Sequence, residues 1–131
     1  MARKLIKALL REFFSHKLNQ IGLITAENPQ EVETGPEFNN QSNESLLADL
    51  QSLGYDVIPA SYFGENCYLV PNISMRHLID LGFKYNQKAV LHGRKVPEDR
   101  NGMTFAWKNI VDGKIMDEKI SHHPYTVPEF D

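Results

Sequence analysis

Small polar and acidic residues recur at the ends of apolar runs along this chain. Thr25, Glu27 and Asn28 follow Ile21–Ile24, Asn40 and Asn43 precede a Leu-rich stretch, Tyr62 and Glu65 precede Cys67–Val70, and Gln87 precedes Ala89–His92. Carboxamides and hydroxyls at such positions can pair with a polar ligand from both the donor and the acceptor side. Glu27 and Glu65 could serve as a general base or as oxygen ligands for Mg²⁺, with Asn28 completing the shell. Spacing alone does not force the two carboxylates together. Ligand binding by Thr25, Asn28, Asn40, Asn43, Tyr62, Glu65 and Gln87 is therefore the main expectation, and catalysis by Glu27 or Glu65 the alternative. Structural roles compete with both: Asn28 before Pro29 can shape a turn, Asn40 or Asn43 can cap a helix, Glu65 can sit in solvent and Gln87 can tie down a nearby loop.

Other reactive side chains point to less. Cys67 with His92 would make a nucleophile and base, yet a cysteine in an apolar strand-like run is ordinary core. His122-His123 are neighbours in an extended tail and so point apart, which argues against a zinc site. Phe105 and Trp107 alternate with polar residues and read as hairpin core. The chain has no complete triad, metal quartet or phosphate loop, so no metal site is expected and the sequence leaves the cofactor unknown.

The elements that must position these residues follow from periodicity. Leu5, Ile6, Leu9, Leu10, Phe13 and Phe14 predict an amphipathic helix over about residues 2–16, either covering a sheet face or binding a membrane surface or partner. Ile21–Ala26 reads as a strand apolar on both sides and hence central. A polar loop over 27–41 follows, long for a compact domain. Ser42 or Asn43 is then expected to cap a helix with Leu46, Leu47, Leu50 and Leu53 inward and Gly54 as its stop. Tyr55–Ile58 is a strand halted by Pro59, Cys67–Val70 another, and a helix introduced by Pro71–Ser74 runs through about Leu81. Lys88–His92 is a fourth strand. Asp112-Gly113 predicts a hairpin turn inside 103–120.

Strand, helix, strand, strand, helix, strand over 20–92 is the order of the ferredoxin-like split βαβ motif, an α+β class. Right-handed crossovers would place the first and third strands in the middle and gather the polar strand ends at one edge. There the start of the helix would offer backbone N–H groups to an anion or carbonyl. At these residues the chain resembles a bacterial family known as domain of unknown function 3293. The resemblance covers about residues 20–92 and rests on Ile24–Pro29, Asn40 or Asn43, Glu65 and Gln87, with Asn66-Cys67 departing from it. It implies a shared site and no particular reaction.

Composition bounds the rest. With 131 residues and 41% hydrophobic content, a single domain (1–131) is expected, with a terminal helix (1–18), core (20–92), hairpin (103–120) and tail (121–131). One cysteine fits a reducing, cytoplasmic setting, and no apolar run reaches a membrane span. A basic, amphipathic start leaves a mitochondrial-type presequence as a minor reading. The net charge of -3 conceals an asymmetry, because no Lys or Arg lies between Leu18 and Met75 while Glu27, Glu31, Glu33, Glu37, Glu44, Asp49, Asp56 and Glu65 do. Nucleic acid is thus a poor partner. Three function classes follow: a cytosolic domain binding a polar, nucleotide-like ligand at the sheet edge, an enzyme using Glu27 or Glu65, or an acidic-faced interaction or inhibitor protein for a basic partner.

Overall fold

The computed structural model describes residues 19–62, 64–96 and 105–121, without the side chains of 62, 105 and 117–121. The expected N-terminal helix and the tail with His122-His123 lie outside the described residues.

Among the described residues, six strands and two helices make an α+β arrangement. In chain order they are β1 (Gln20–Ile24), α1 (Pro36–Ser52), β2 (Ile58–Tyr62), β3 (Glu65–Pro71), α2 (Met75–Lys84), β4 (Ala89–Lys95), β5 (Phe105–Val111) and β6 (Lys114–Ser121). They form one sheet in the order β2-β3-β1-β4-β5-β6, antiparallel at every pairing. β1 and β3, the most apolar runs, are interior strands, as their composition requires. The β5–β6 hairpin closes on Asp112 and Gly113 at φ 50° and 77°, the left-handed pair that a two-residue hairpin turn demands.

Both helices pack on one face of the sheet. Leu46 and Leu50 of α1 and Leu78 and Leu81 of α2 meet Ile24, Val70, Val90 and Ile110 in a common core. Full burial of each such Leu or Ile side chain stabilises by about 1.5–3 kcal/mol. Gly22 is what lets α2 come so close. A Cβ there would lie 2.6 Å from Cγ2 of Ile73 and 2.9 Å from Cδ1 of Leu78. Ser74 caps α2 by accepting the His77 N–H at 3.1 Å. Asp49 ties the two helices together, accepting from Lys84 Nζ at 2.7 Å and from the Tyr85 hydroxyl at 2.5 Å. The Lys84 contact, then that of Tyr85, holds the Asp49 carboxyl below its usual range, while burial, then Asp49 itself, pushes the Tyr85 phenol up.

Three boundaries differ from the sequence reading. The first helix starts at Pro36, six residues before the expected cap at Ser42. Gly35 at φ 86° turns the chain and Pro36 sits in the first turn, where its missing N–H costs nothing. Asn40 and Asn43 are consequently helix-interior residues and not caps. Second, Pro59 does not end a strand but lies inside β2, opposite Tyr68; β2 is an outer strand, where proline is tolerated. Third, β3 begins at Glu65, so Glu65 belongs to the strand itself.

Candidate functional site

The loop from Thr25 to Gly35 leaves the end of β1 and returns into α1. Asn28, Gln30 and Glu31 all have positive φ, at 45°, 55° and 63°. Asparagine tolerates this region, whereas a left-handed Gln or Glu costs about 1–2 kcal/mol each. Such a backbone persists only where its surroundings over-determine it.

Asn28 and Asn39 supply one half of that constraint. Asn39 Oδ1 accepts the Asn28 N–H at 3.0 Å and the Thr34 hydroxyl at 2.6 Å. Asn28 Oδ1 accepts from Asn39 Nδ2 at 3.1 Å and from the Thr34 N–H at 3.2 Å. Asn28 Nδ2 donates across to Glu65 Oε2 at 2.7 Å. Gln30 fastens the loop to the end of α2, donating its backbone N–H to the Asn86 carbonyl at 3.0 Å.

Glu27 and Asn43 supply the other half, and both are buried. Asn43 Oδ1 accepts the Ala26 N–H at 2.8 Å, and Nδ2 donates to Glu27 Oε2 at 3.2 Å and to the Asn66 carbonyl at 3.1 Å. Glu27 Oε1 accepts the Asn66 N–H at 3.2 Å, and Asn66 Nδ2 lies 3.4 Å from Oε2. Thr25 Oγ1 donates to the Asn66 carbonyl at 2.7 Å and accepts the Glu27 N–H at 3.0 Å. Gln87 Nε2 reaches back to the Glu27 carbonyl at 3.0 Å. A buried carboxylate costs several kcal/mol unless donors surround it, and here each oxygen meets N–H groups.

The structure therefore brings together Thr25, Glu27, Asn28, Asn43, Glu65 and Gln87 from segments far apart in the chain. Asn40 does not join them and is exposed on α1. Tyr62 pairs through its backbone with Glu65. Asn39, Asn66 and Thr34 are members that the sequence reading missed. A helix begun at the Gly35-Pro36 signal would have found the first, since Asn39 and Asn43 are four apart and share a face while Asn40 is turned about 100° away. Nothing local in the sequence marks the Asn66 carbonyl as one that two side chains will claim.

Chemically, the network is a clamp. Glu27 accepts from donors on both oxygens. Glu65 is the carboxylate of this group that reaches solvent. Among the described residues, no three His, Cys, Asp or Glu side chains gather as a metal-binding group. Cys67 and His92 stand on opposite faces of the sheet, because Cys67 is one residue out of phase with Val70's helix-side row and His92 pairs with helix-side Gly22. They cannot act as a nucleophile and base. An open pocket exists elsewhere, between the end of α2 and the β5–β6 turn, lined by Phe83, Gln87, Lys88, Val90, Asp112 and Gly113 among others. Gln87 is the one expected site residue it shares.

A family model, described as "Protein of unknown function (DUF3293)", matches residues 24–90, just over half of the chain. The chain belongs to this family. Every member of the clamp falls within the DUF3293 segment, whereas β5 and β6 lie beyond it. The chain has no match among curated proteins or solved structures. No helix among the described residues is long and apolar enough to cross a membrane.

Proposed function

We propose that this DUF3293 protein is a recognition module, and that its acidic face, formed by the clamped 28–35 loop and the first turns of α1, receives a basic protein segment. One observation carries this reading. The convergent polar side chains are spent on holding a strained loop, and the loop turns outward Glu31 and Glu33, with Glu37 and Glu44 following on α1 and Val32 and Phe38 exposed among them. Carboxylates interleaved with exposed apolar groups suit a partner rich in Arg or Lys with apolar neighbours. Lys88 beside Glu31, at 3.5 Å and exposed, gives little compensation. A phosphate-bearing ligand would meet repulsion from Glu37 at the start of α1, so the nucleotide-like reading is the weaker one.

Two further assignments accompany it. The order β2-β3-β1-β4 with both helices on one face supports a ferredoxin-like split βαβ core. A single, buried Cys67 supports a reducing, cytoplasmic setting.

The test is an NMR titration of the full chain with a short oligoarginine peptide carrying one aromatic residue. Shifts should centre on residues 28–45. Affinity should fall steeply with salt, since exposed charges are screened beyond about 10 Å at 0.1 M, and should vanish when Glu31, Glu33 and Glu37 are changed together to Gln. Shifts on another face, or binding indifferent to the triple change, would overturn the proposal. In a parallel thermal-shift screen, stabilisation by a nucleotide or a divalent ion that is lost in Glu65→Gln would instead favour the small-ligand or enzyme reading.

A further inference from the structure

The face of the sheet turned away from α1 and α2 is apolar and buried. Side chains alternate across a strand. With Gly22, Ile24, Val70, Val90 and Ile110 under the helices, the register sets Ile21, Leu23, Ile58, Cys67, Leu69 and Trp107 on the far side. None of these six is more than 4% exposed. None belongs to the helix-side core, and neither described helix packs there. A face this apolar, left open, would be a large hydrophobic patch; its burial requires a cover.

We propose that the cover is the amphipathic N-terminal segment of this same chain, residues 2–16. Asn19 runs directly into β1, an interior strand, so the preceding residues are delivered to the middle of the sheet. A helix of that span is about 22 Å long, enough to cross roughly four strands at about 4.8 Å spacing. Its stripe of Leu5, Ile6, Leu9, Leu10 and Phe13 supplies large aliphatic and aromatic groups on one side. The other undescribed segments supply less. Residues 97–104 contain Met103 as their one large apolar side chain, and 122–131 offer Tyr125, Val127 and Phe130 broken by Pro124 and Pro128. Seated this way, the segment turns Lys4, Lys7 and Arg11 outward, giving the molecule a basic surface across the sheet from acidic α1.

The decisive measurement uses the unmutated full chain. NOEs should connect methyl groups of Leu5, Leu9 or Leu10 with those of Leu23 or Leu69 or with the Trp107 ring. Two built-in reporters give a second readout, because Cys67 and Trp107 are the chain's one cysteine and one tryptophan and both lie on this face. Changing Leu5 and Leu9 together to Asp should make Cys67 react roughly ten-fold faster or more with a thiol reagent and shift Trp107 emission to the red, since burial is what keeps such a thiol inert. Lys4→Gln with Lys7→Gln should change neither. The proposal falls if those NOEs are absent, if they come from Tyr125 or Phe130, or if isotope-filtered spectra of mixed labelled and unlabelled protein show them to be between two copies. Because the NOE readout needs no variant, a failure of the Asp variant to fold leaves the test intact.

Discussion

Asn43 joins three separate parts of the loop and its surroundings. It satisfies the Ala26 N–H, one oxygen of buried Glu27 and the Asn66 carbonyl at once. Truncation would leave the Ala26 N–H without this acceptor and take one donor each from Glu27 Oε2 and the Asn66 carbonyl, at about 1–3 kcal/mol for each group left unsatisfied before relaxation. Asn43→Ala should therefore lose about 2–4 kcal/mol in urea denaturation, whereas exposed Asn40→Ala should stay within about 0.5 kcal/mol. Equal effects would dissolve the distinction between clamp and surface. Asn28 tests strain against bonding. Gly at this position removes the penalty of a left-handed φ but also three side-chain hydrogen bonds. Asn28→Gly should destabilise by about 1–3 kcal/mol and Asn28→Ala by about 1 kcal/mol more, because alanine keeps the strain. If Gly were the worse of the two, strain would not be what the bonds hold.

At the scale of elements, β4 and β1 each contain a residue with a measurable consequence. His92 on β4 is buried, and its ring Nε2 lies 3.0 Å from Gln20 Oε1. Burial pushes its pKa below 6.5 against a pull from the Ile73 carbonyl, and the charges of Lys108 and Arg94 act with burial. The folded state thus resists the proton that the unfolded chain accepts. Its contribution to stability is complete above about pH 6.5 and is lost as the pH falls from there through the lowered folded pKa. Denaturation midpoints should decline over that window, and His92→Gln should flatten the decline; an unchanged slope would assign it to other groups. The Asp49 contribution acts in a separate, more acidic window, present above its unfolded pKa of about 3.8 and lost as the pH falls through the lowered value. Gly22 in β1 faces Ile73 and Leu78. Gly22→Ala should cost about 1–3 kcal/mol by overpacking, despite alanine's lower chain entropy.

For the molecule as a whole, sheet order ranks local stability. β1, β3, β4 and β5 have neighbours on both sides, while β2 is an outer strand interrupted by Pro59. Native-state amide exchange should be slowest in the interior strands and faster in β2. Protection of β2 equal to that of β1 would mean that something pairs with or covers its outer side. The same topology sorts charge. Residues 19–75 include α1 and carry no Lys or Arg, so the proposed association through the 28–45 surface should be steered and salt-sensitive.

Much of this was legible from local pattern. Apolar runs and turn residues located the strands other than β2, which was expected at Tyr55–Ile58 and runs Ile58–Tyr62, and found both described helices; Asp112-Gly113 placed the hairpin, and the strand and helix order brought β1 and β3 to the interior, because hydrophobic period and crossover handedness act through near neighbours and chain connectivity. Asn28, Glu65 and Gln87 could be assigned to one edge on those grounds alone. Their use could not. Whether a polar side chain faces a ligand or another part of the chain depends on which groups lie within about 3 Å of it, and Asn39, Asn66 and the carbonyl of Glu27 arrive there only when α1, β3 and the end of α2 are packed together. Tertiary structure also decided that Glu27 is a buried acceptor while Glu65 reaches solvent, a difference of burial between two residues of identical chemistry.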